Sequence, residues 1–297
     1  MKRSILLPTI ALCLCSTGFA ANAQTTCTAV PFAPGVISTT QYNEGRISFT
    51  PDRNTIYWNV NLVPGPPGSA VDFTIMTADR TTDGWSQPRI ASFSGLGSFA
   101  DSDAFVTPDG RSLIFSSNRP GNLGEYPLND LWVVHRQADG SWGQPVNLGG
   151  NVNSPSNELY ASADLRGNLY FASDREQGHW DIYRSRRRAN GSYAPAEKLN
   201  RALNHPGRWE FNPEISPDGK TLLLGSFGSH DTIGKNADIW VSRLEDGMWG
   251  TPVNLGTCVN STAPEFNPTA LWDRGELYFV RVGQTLDFMV APLQLPE

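Results

Sequence analysis

The stretch SPDGKTLLLGS at residues 216–226 reads as a turn feeding a strand, because proline presets φ, the aspartate caps the turn through its side chain, and an aliphatic run follows. Apolar residues also precede it, in EFNPEI at 210–215, so the whole reads as a hairpin. Outward from it come a polar loop, a third strand opened by Asp in Ala237-Asp238-Ile239-Trp240, and a fourth element in GMWGTPVNLG at 247–256. The succession returns along the chain. Aligned on the last large apolar residue of the second strand, its units centre on Trp58, Phe115, Phe171, Leu224 and Phe279, separated by 57, 56, 53 and 55 residues. The turns are TPDR, TPDG, SPDG and WDRG, while the third unit has Leu165 where the others have Asp and its Asp one place earlier. Four short strands per unit at a regular period is the composition of a propeller blade.

The fifth unit lacks a fourth strand, since only ten residues follow Asp287. From the strand-four proline to the next acidic residue the count is 13 for Pro88 to Asp101, Pro145 to Glu158 and Pro252 to Glu265, and it is also 13 for Pro31 to Glu44. The segment around Val30-Pro31-Phe32 is therefore predicted to be the outer strand of the last blade, closing the ring and leaving no open sheet edge. Pro195 to Glu210 spans 15, which predicts a longer crossover between the third and fourth blades. The expectation is an all-β chain forming a single propeller of five four-stranded blades.

The carrying residues, SPDGKTLLLGS at 216–226, TPDGRSLIFSSNRPG at 107–121, the Asp-Ile-Trp and Asp-Ile-Tyr strands and the W-x-x-PVNLG tails, resemble the WD40-like repeat called PD40, found in propellers related to TolB. The resemblance covers nearly all of residues 28–297 and implies the fold. It implies no particular activity, because such repeats resemble one another through the residues that build blades. Propellers of that family usually have six blades, the alternative to the five counted here.

Residues 1–23 have the three parts of a secretory signal peptide: Lys2 and Arg3, an apolar stretch from Ile5 to Phe19, and Ala21-Asn22-Ala23 before Gln24. The apolar stretch is broken by Pro8, Ser16, Thr17 and Gly18 and falls short of the ~20 residues a membrane helix needs. The expected mature chain, 24–297, is one propeller domain, periplasmic or secreted, monomeric and without a membrane span. Removing Lys2 and Arg3 takes 23 basic residues to 21 against 29 acidic, a balance that argues against a nucleic-acid partner. Cleavage also leaves Cys27 and Cys258 as the remaining cysteines. An isolated pair in an oxidising compartment suggests a disulfide, but the two positions can also fall on opposite faces of the disc, so the pairing stays open.

Function is sought first at the acidic residue opening each innermost strand: Glu44, Asp101, Glu158, Glu210 and Glu265. Facing inward, these carboxylates would form a ring at one channel mouth, attracting a cation or a Lys- or Arg-bearing partner. Bonded within their own blades, they would be structural. Residues that break the repeat carry more information about ligands. The long crossover NRALNHPGRWEFN at 200–212 sets Arg208, Trp209 and Phe211 beside Glu210, a grouping suited to a sugar or a peptide. The loops at 119–129 and 227–236 are expected on the same face.

The four histidines show no metal-ligand spacing, and no nucleophile elbow, P-loop or dinucleotide fingerprint is present. No catalytic residue, metal ligand or cofactor is assigned, apart from a cation in the channel as an open option. The sequence thus favours a non-catalytic binding or scaffolding module for a protein or an envelope glycan. The alternative is a carbohydrate-active hydrolase or lyase with carboxylates in the funnel, for which Glu210 with Glu214, or Asp101 with Asp103, are the candidate pairs.

Overall fold

The turns of the first, second and fourth units close their hairpins through the same bonds. In the second unit Thr107 Oγ1 donates to Asp109 Oδ1, Asp109 accepts the Arg111 amide, and the Gly110 amide returns to the Thr107 carbonyl at 2.8 Å. Gly110 takes φ 68°, a conformation that suits glycine. The first unit carries Arg53 at that place, at φ 59°. A computed structural model describes residues 27–61, 73–95, 99–125, 127–228, 233 and 237–296. The predicted signal segment lies outside them.

The strands in chain order begin with β1 (Val30–Pro31), followed by a first blade of β2 (Glu44–Phe49), β3 (Thr55–Asn61), β4 (Phe73–Thr81) and an outer strand split into β5 (Gly84–Trp85) and β6 (Arg89–Ile90). The second blade is β7 (Asp101–Val106), β8 (Ser112–Ser117), β9 (Asp130–His135) and β10 (Val146–Asn147). The third is β11 (Glu158–Ala163), β12 (Leu169–Glu176), β13 (His179–Ser185) and β14 (Glu197–Lys198). The fourth is β15 (Trp209–Ile215), β16 (Thr221–Phe227), β17 (Asp238–Glu245) and the split outer strand β18 (Met248–Trp249) and β19 (Val253–Asn254). The last is β20 (Glu265–Leu271), β21 (Glu276–Val282) and β22 (Leu286–Pro292), and its fourth strand is β1, with Val30 opposite Val290 and Pro31 opposite Met289. The chain is a five-bladed β-propeller, all-β, with no helix among the described residues, and the two chain ends share one blade.

The core lies between blades. Trp142 of the second blade packs against Tyr57 and Phe93 of the first, and its indole donates to the Tyr57 hydroxyl at 2.9 Å. Trp249 meets Tyr170 of the third blade edge-on, and Trp85 meets Phe32 at the closing seam. These aromatics of the outer segments wedge adjacent sheets together. The strand-three aspartates are also structural: Asp130 accepts from the Leu123 amide and Asn147, and Asp238 from the Ile233 amide and Asn254.

Cys27 is disulfide-bonded to Cys258, with 5.1 Å between the α-carbons. The opposite-face geometry is not adopted. Outer strands of only two residues let the segment before β1 lie on the crossover that follows β19, where Ala29 shares a core cluster with Leu255 and Val259.

Candidate functional site

The five repeated carboxylates are buried, at 0–1% exposure, and each is held by the loop that leads into its own strand. Glu44 accepts from the amide and hydroxyl of Thr39, Asp101 from Ser94 and the Gly95 amide, Glu158 and Glu265 from the amides and hydroxyls of Ser154 and Ser261, and Glu210 from the His205 amide. In three blades an arginine at the end of the second strand adds a charge-assisted bond: Arg119 to Asp101 at 2.6 Å, Arg175 to Glu158 at 3.0 Å and Arg281 to Glu265 at 2.6 Å. Each guanidinium also lies over the aromatic centre of its unit, Phe115, Phe171 or Phe279. Of the two placements open to them, the inward ring is not adopted and the carboxylates form five internal clamps, because the orphan donors of each crossover need an acceptor.

Glu44 and Glu210 lack such an arginine from their own second strand among the described residues. Burial pushes both carboxyls up to about 8, opposed by Thr39 at Glu44 and by Arg208, 3.5 Å away, at Glu210. Between about pH 4.5, the unfolded value, and pH 8 the folded chain then keeps protons that the unfolded chain has lost. Stability from these groups is present at low pH and is lost as pH rises through that window. The melting temperature is expected to fall from pH 5 to pH 8.5, and Glu44→Gln should flatten the profile. A melting temperature that rises over that interval would contradict the assignment.

Two residues beyond each acid the inner strand is bulged: register shifts separate Glu44 from Ile47, Ser102 from Phe105, Leu159 from Ser162, Phe211 from Glu214, and Phe266 from Thr269. A bulge re-aims a side chain. The residues so placed are Arg46, Asp103, Tyr160, Asn212 and Asn267, and the last four take φ of 56°, 60°, 51° and 53°. Non-glycine residues held there cost energy and concentrate at functional sites. Three of the five are joined by hydrogen bonds, and Asp103 acts on them through its charge. Burial raises the Tyr160 hydroxyl pKa, the Asp103 charge adds to that, and a hydrogen bond with Asn212 opposes it. Asn212 Nδ2 donates to Asn267 Oδ1. Burial pushes Asp103 up to about 6, offset by the Ser102 hydroxyl donating to it at 2.8 Å and by Arg46. A cavity of about 250 Å³ opens above them on the face where the inner strands begin, lined among others by Asp103, Tyr160, Asn267, Asn59 and Phe266.

Arg46 closes the channel below. It is 1% exposed and donates 2.6 Å bonds to the Ala161 carbonyl in the third blade and to Glu214 in the fourth. Glu214 also accepts the Ala270 amide of the fifth blade, and it lines a separate cavity of about 360 Å³ at the opposite mouth. The two candidate catalytic pairs are thus divided: Asp101 and Glu210 belong to clamps, while Asp103 and Glu214 face different cavities.

Of the crossover residues, Arg208 sits against Glu210, Phe211 packs on Tyr160 at 6.4 Å, and Trp209 is 47% exposed. Arg119 and Asn122 in the 119–129 loop are structural, since Asn122 bonds the Ser117 and Leu128 carbonyls and the Trp132 indole. Most of 227–236 lies outside the described residues. Among the described residues no group of three or more His, Cys, Asp or Glu is arranged for a metal ion. The bulge residues Arg46, Tyr160, Asn212 and Asn267 were not singled out from sequence. Their signal is a fixed offset from a repeated acid at which the chemistry differs from blade to blade.

No protein-family model matches the chain, and no curated protein matches its sequence. Solved structures do match it. They include the GH43 endo-arabinanase of Bacillus licheniformis, 14% identical over 82% of this chain and 91% of that one with a TM-score of 0.49. The periplasmic gluconolactonase of Pseudomonas aeruginosa is 15% identical over 82% and 70%, with a TM-score of 0.43. A puromycin-hydrolysing peptidase of Mycobacterium tuberculosis is 14% identical over 87% of this chain, with a TM-score of 0.46. The chain spans 37% of that peptidase and 32% of a matched prolyl endopeptidase. Likeness at this level bears on the fold alone.

Proposed function

We propose that the chain is an exported, non-catalytic propeller of the PD40 type that binds an envelope glycan at the mouth of its channel. The observation that carries this reading is the bulge position, where Arg, Asp, Tyr, Asn and Asn occupy one structurally repeated place beside a cavity of about 250 Å³. A position that only built the blade would keep one chemistry, as the acid two residues earlier does. Amide, phenol and carboxyl groups in a small concavity suit the hydroxyls of about one sugar ring, where a few placed polar groups fix orientation. Export is supported by the N-terminal sequence and by the Cys27–Cys258 bond, a kind that persists in oxidising compartments.

A hydrolase is the second reading, and Asp103 favours it: its carboxyl is raised by burial and has no acidic counterpart at the bulge position of the other blades. Against it, Asp103 is the only carboxylate lining the mouth among the described residues, whereas glycoside hydrolysis usually needs two flanking the bond. A glycan array followed by titration of the bound sugars tests both. Asp103→Asn and Tyr160→Phe should each weaken binding about tenfold, ~1.4 kcal/mol, with the melting temperature held. Wild-type affinity in both variants would sink the reading, and cleaved sugars with wild-type protein would favour the hydrolase.

A further inference from the structure

Each inner strand is entered through the residue just before its carboxylate, and in three blades polar side chains lock this entrance. Asn43 accepts the Leu286 amide at 3.1 Å, Asn118 accepts the Ala100 amide at 2.8 Å, and Asp174 accepts from the amide and side chain of Asn157 at 2.8 and 2.9 Å. The fourth blade departs from this. There Trp209 stands directly opposite Phe227, with ring centroids 6.1 Å apart and planes tilted by 40°. Both residues are 47% exposed, and no other Trp, Phe or Tyr among the described residues is comparably open. Neither belongs to a core cluster between blades. The architecture therefore makes no use of two large apolar faces that it holds in water, against the ordinary gain from burying them.

We infer that Trp209 and Phe227 form a stacking platform for a second sugar ring of a glycan whose terminal ring occupies the channel mouth. This rests on the glycan reading of that mouth and adds to it a minimum ligand length of two rings. The platform and the mouth share a face and a strand: Trp209 is followed at two residues by Phe211, which packs on Tyr160, and at three by Asn212, which bonds Asn267. The rim is polar. His205 is exposed, and Arg208, half-buried beside it with its amide on the His205 carbonyl, turns its guanidinium to Glu210. A sugar ring presents C–H groups to the electron-rich face of an aromatic and hydroxyls at its edge, which suits two open aromatic faces next to a crossover that carries the exposed His205. An apolar peptide anchor would instead call for an apolar rim and a closed pocket.

The test is a fluorescence and calorimetric titration of the mature protein with glucose, xylose, arabinose and N-acetylglucosamine, each as the monosaccharide and as its linear oligomers of two to six rings. The wild type should bind one series, with affinity rising at least tenfold from one ring to two or three. Trp209→Ala and Phe227→Ala should abolish that rise and leave monosaccharide affinity unchanged, while Trp209→Tyr should keep part of it. Asp103→Asn should weaken monomer and oligomer alike. Length dependence that survives Trp209→Ala overturns the platform and leaves the mouth reading standing. Equal loss for monomer and oligomer assigns Trp209 to shaping the mouth and also overturns the platform. If no series binds the wild type, both readings fall together.

Discussion

Replacing Glu214 with alanine is expected to destabilise the propeller by about 3–5 kcal/mol, because it strands the Arg46 guanidinium without its counter-charge in the middle of the disc. The pair is 1% and 5% exposed and its bond is 2.6 Å long. Arg46 reaches three blades through its own strand, the Ala161 carbonyl and Glu214, and Glu214 brings in a fourth through the Ala270 amide. Phe105 supplies a further contact, 5.4 Å from the guanidinium. Urea denaturation should show the loss as a lower midpoint. Arg46→Met combined with Glu214→Leu should recover much of it, since replacing a buried pair by apolar groups removes the desolvation cost along with the attraction. A single Glu214→Ala variant that unfolds at the wild-type midpoint would mean that water reaches the pair.

Reduction of the Cys27–Cys258 bond is expected to be the next largest perturbation. The link spans 231 residues, and the chain-entropy argument puts its contribution at about 5 kcal/mol as an upper figure, with 2–5 kcal/mol typical on removal. Without it the closing strand is held by two register pairs, Val30 with Val290 and Pro31 with Met289, and by Phe32 among Phe49, Trp85 and Tyr278. Loss of β1 exposes the edge of β22, so aggregation should accompany unfolding. Wild-type protein should melt lower with reductant, and a Cys27→Ser, Cys258→Ser variant should melt at that lower temperature with or without it. A reductant-insensitive wild type would show that the bond adds nothing to closure.

The blades were legible in sequence because their chemistry is local. A Thr-Pro-Asp-Gly turn satisfies its own amides within five residues, and the spacing from Pro31 to Glu44 repeats a crossover length fixed by geometry between neighbouring blades. The direction of the inner side chains was not legible. Strand alternation predicts which residues face the channel only if the register is unbroken, and a bulge beside each acid shifts the inward set. Glu44 and its counterparts consequently turn to their own loops, and Arg46 and its counterparts turn to the axis. The Arg46–Glu214 contact joins residues 168 apart with no shared motif, so only the closed ring reveals it. Trp209 stood out as a residue that breaks the repeat. Its partner Phe227 was read only as the first residue of the 227–236 loop, whereas it ends β16 and is distinguished by what lies opposite.

The disulfide also changes what a cut in the chain means. Residues 27–258 become a covalent loop that contains the first four blades whole and one strand of the fifth, while β20, β21 and β22 form a tail outside it. A single proteolytic nick anywhere within that loop opens it to a branched chain and releases no fragment. The fifth blade, made from both sides of the crosslink, is the one place where the linear tail is woven back into the loop.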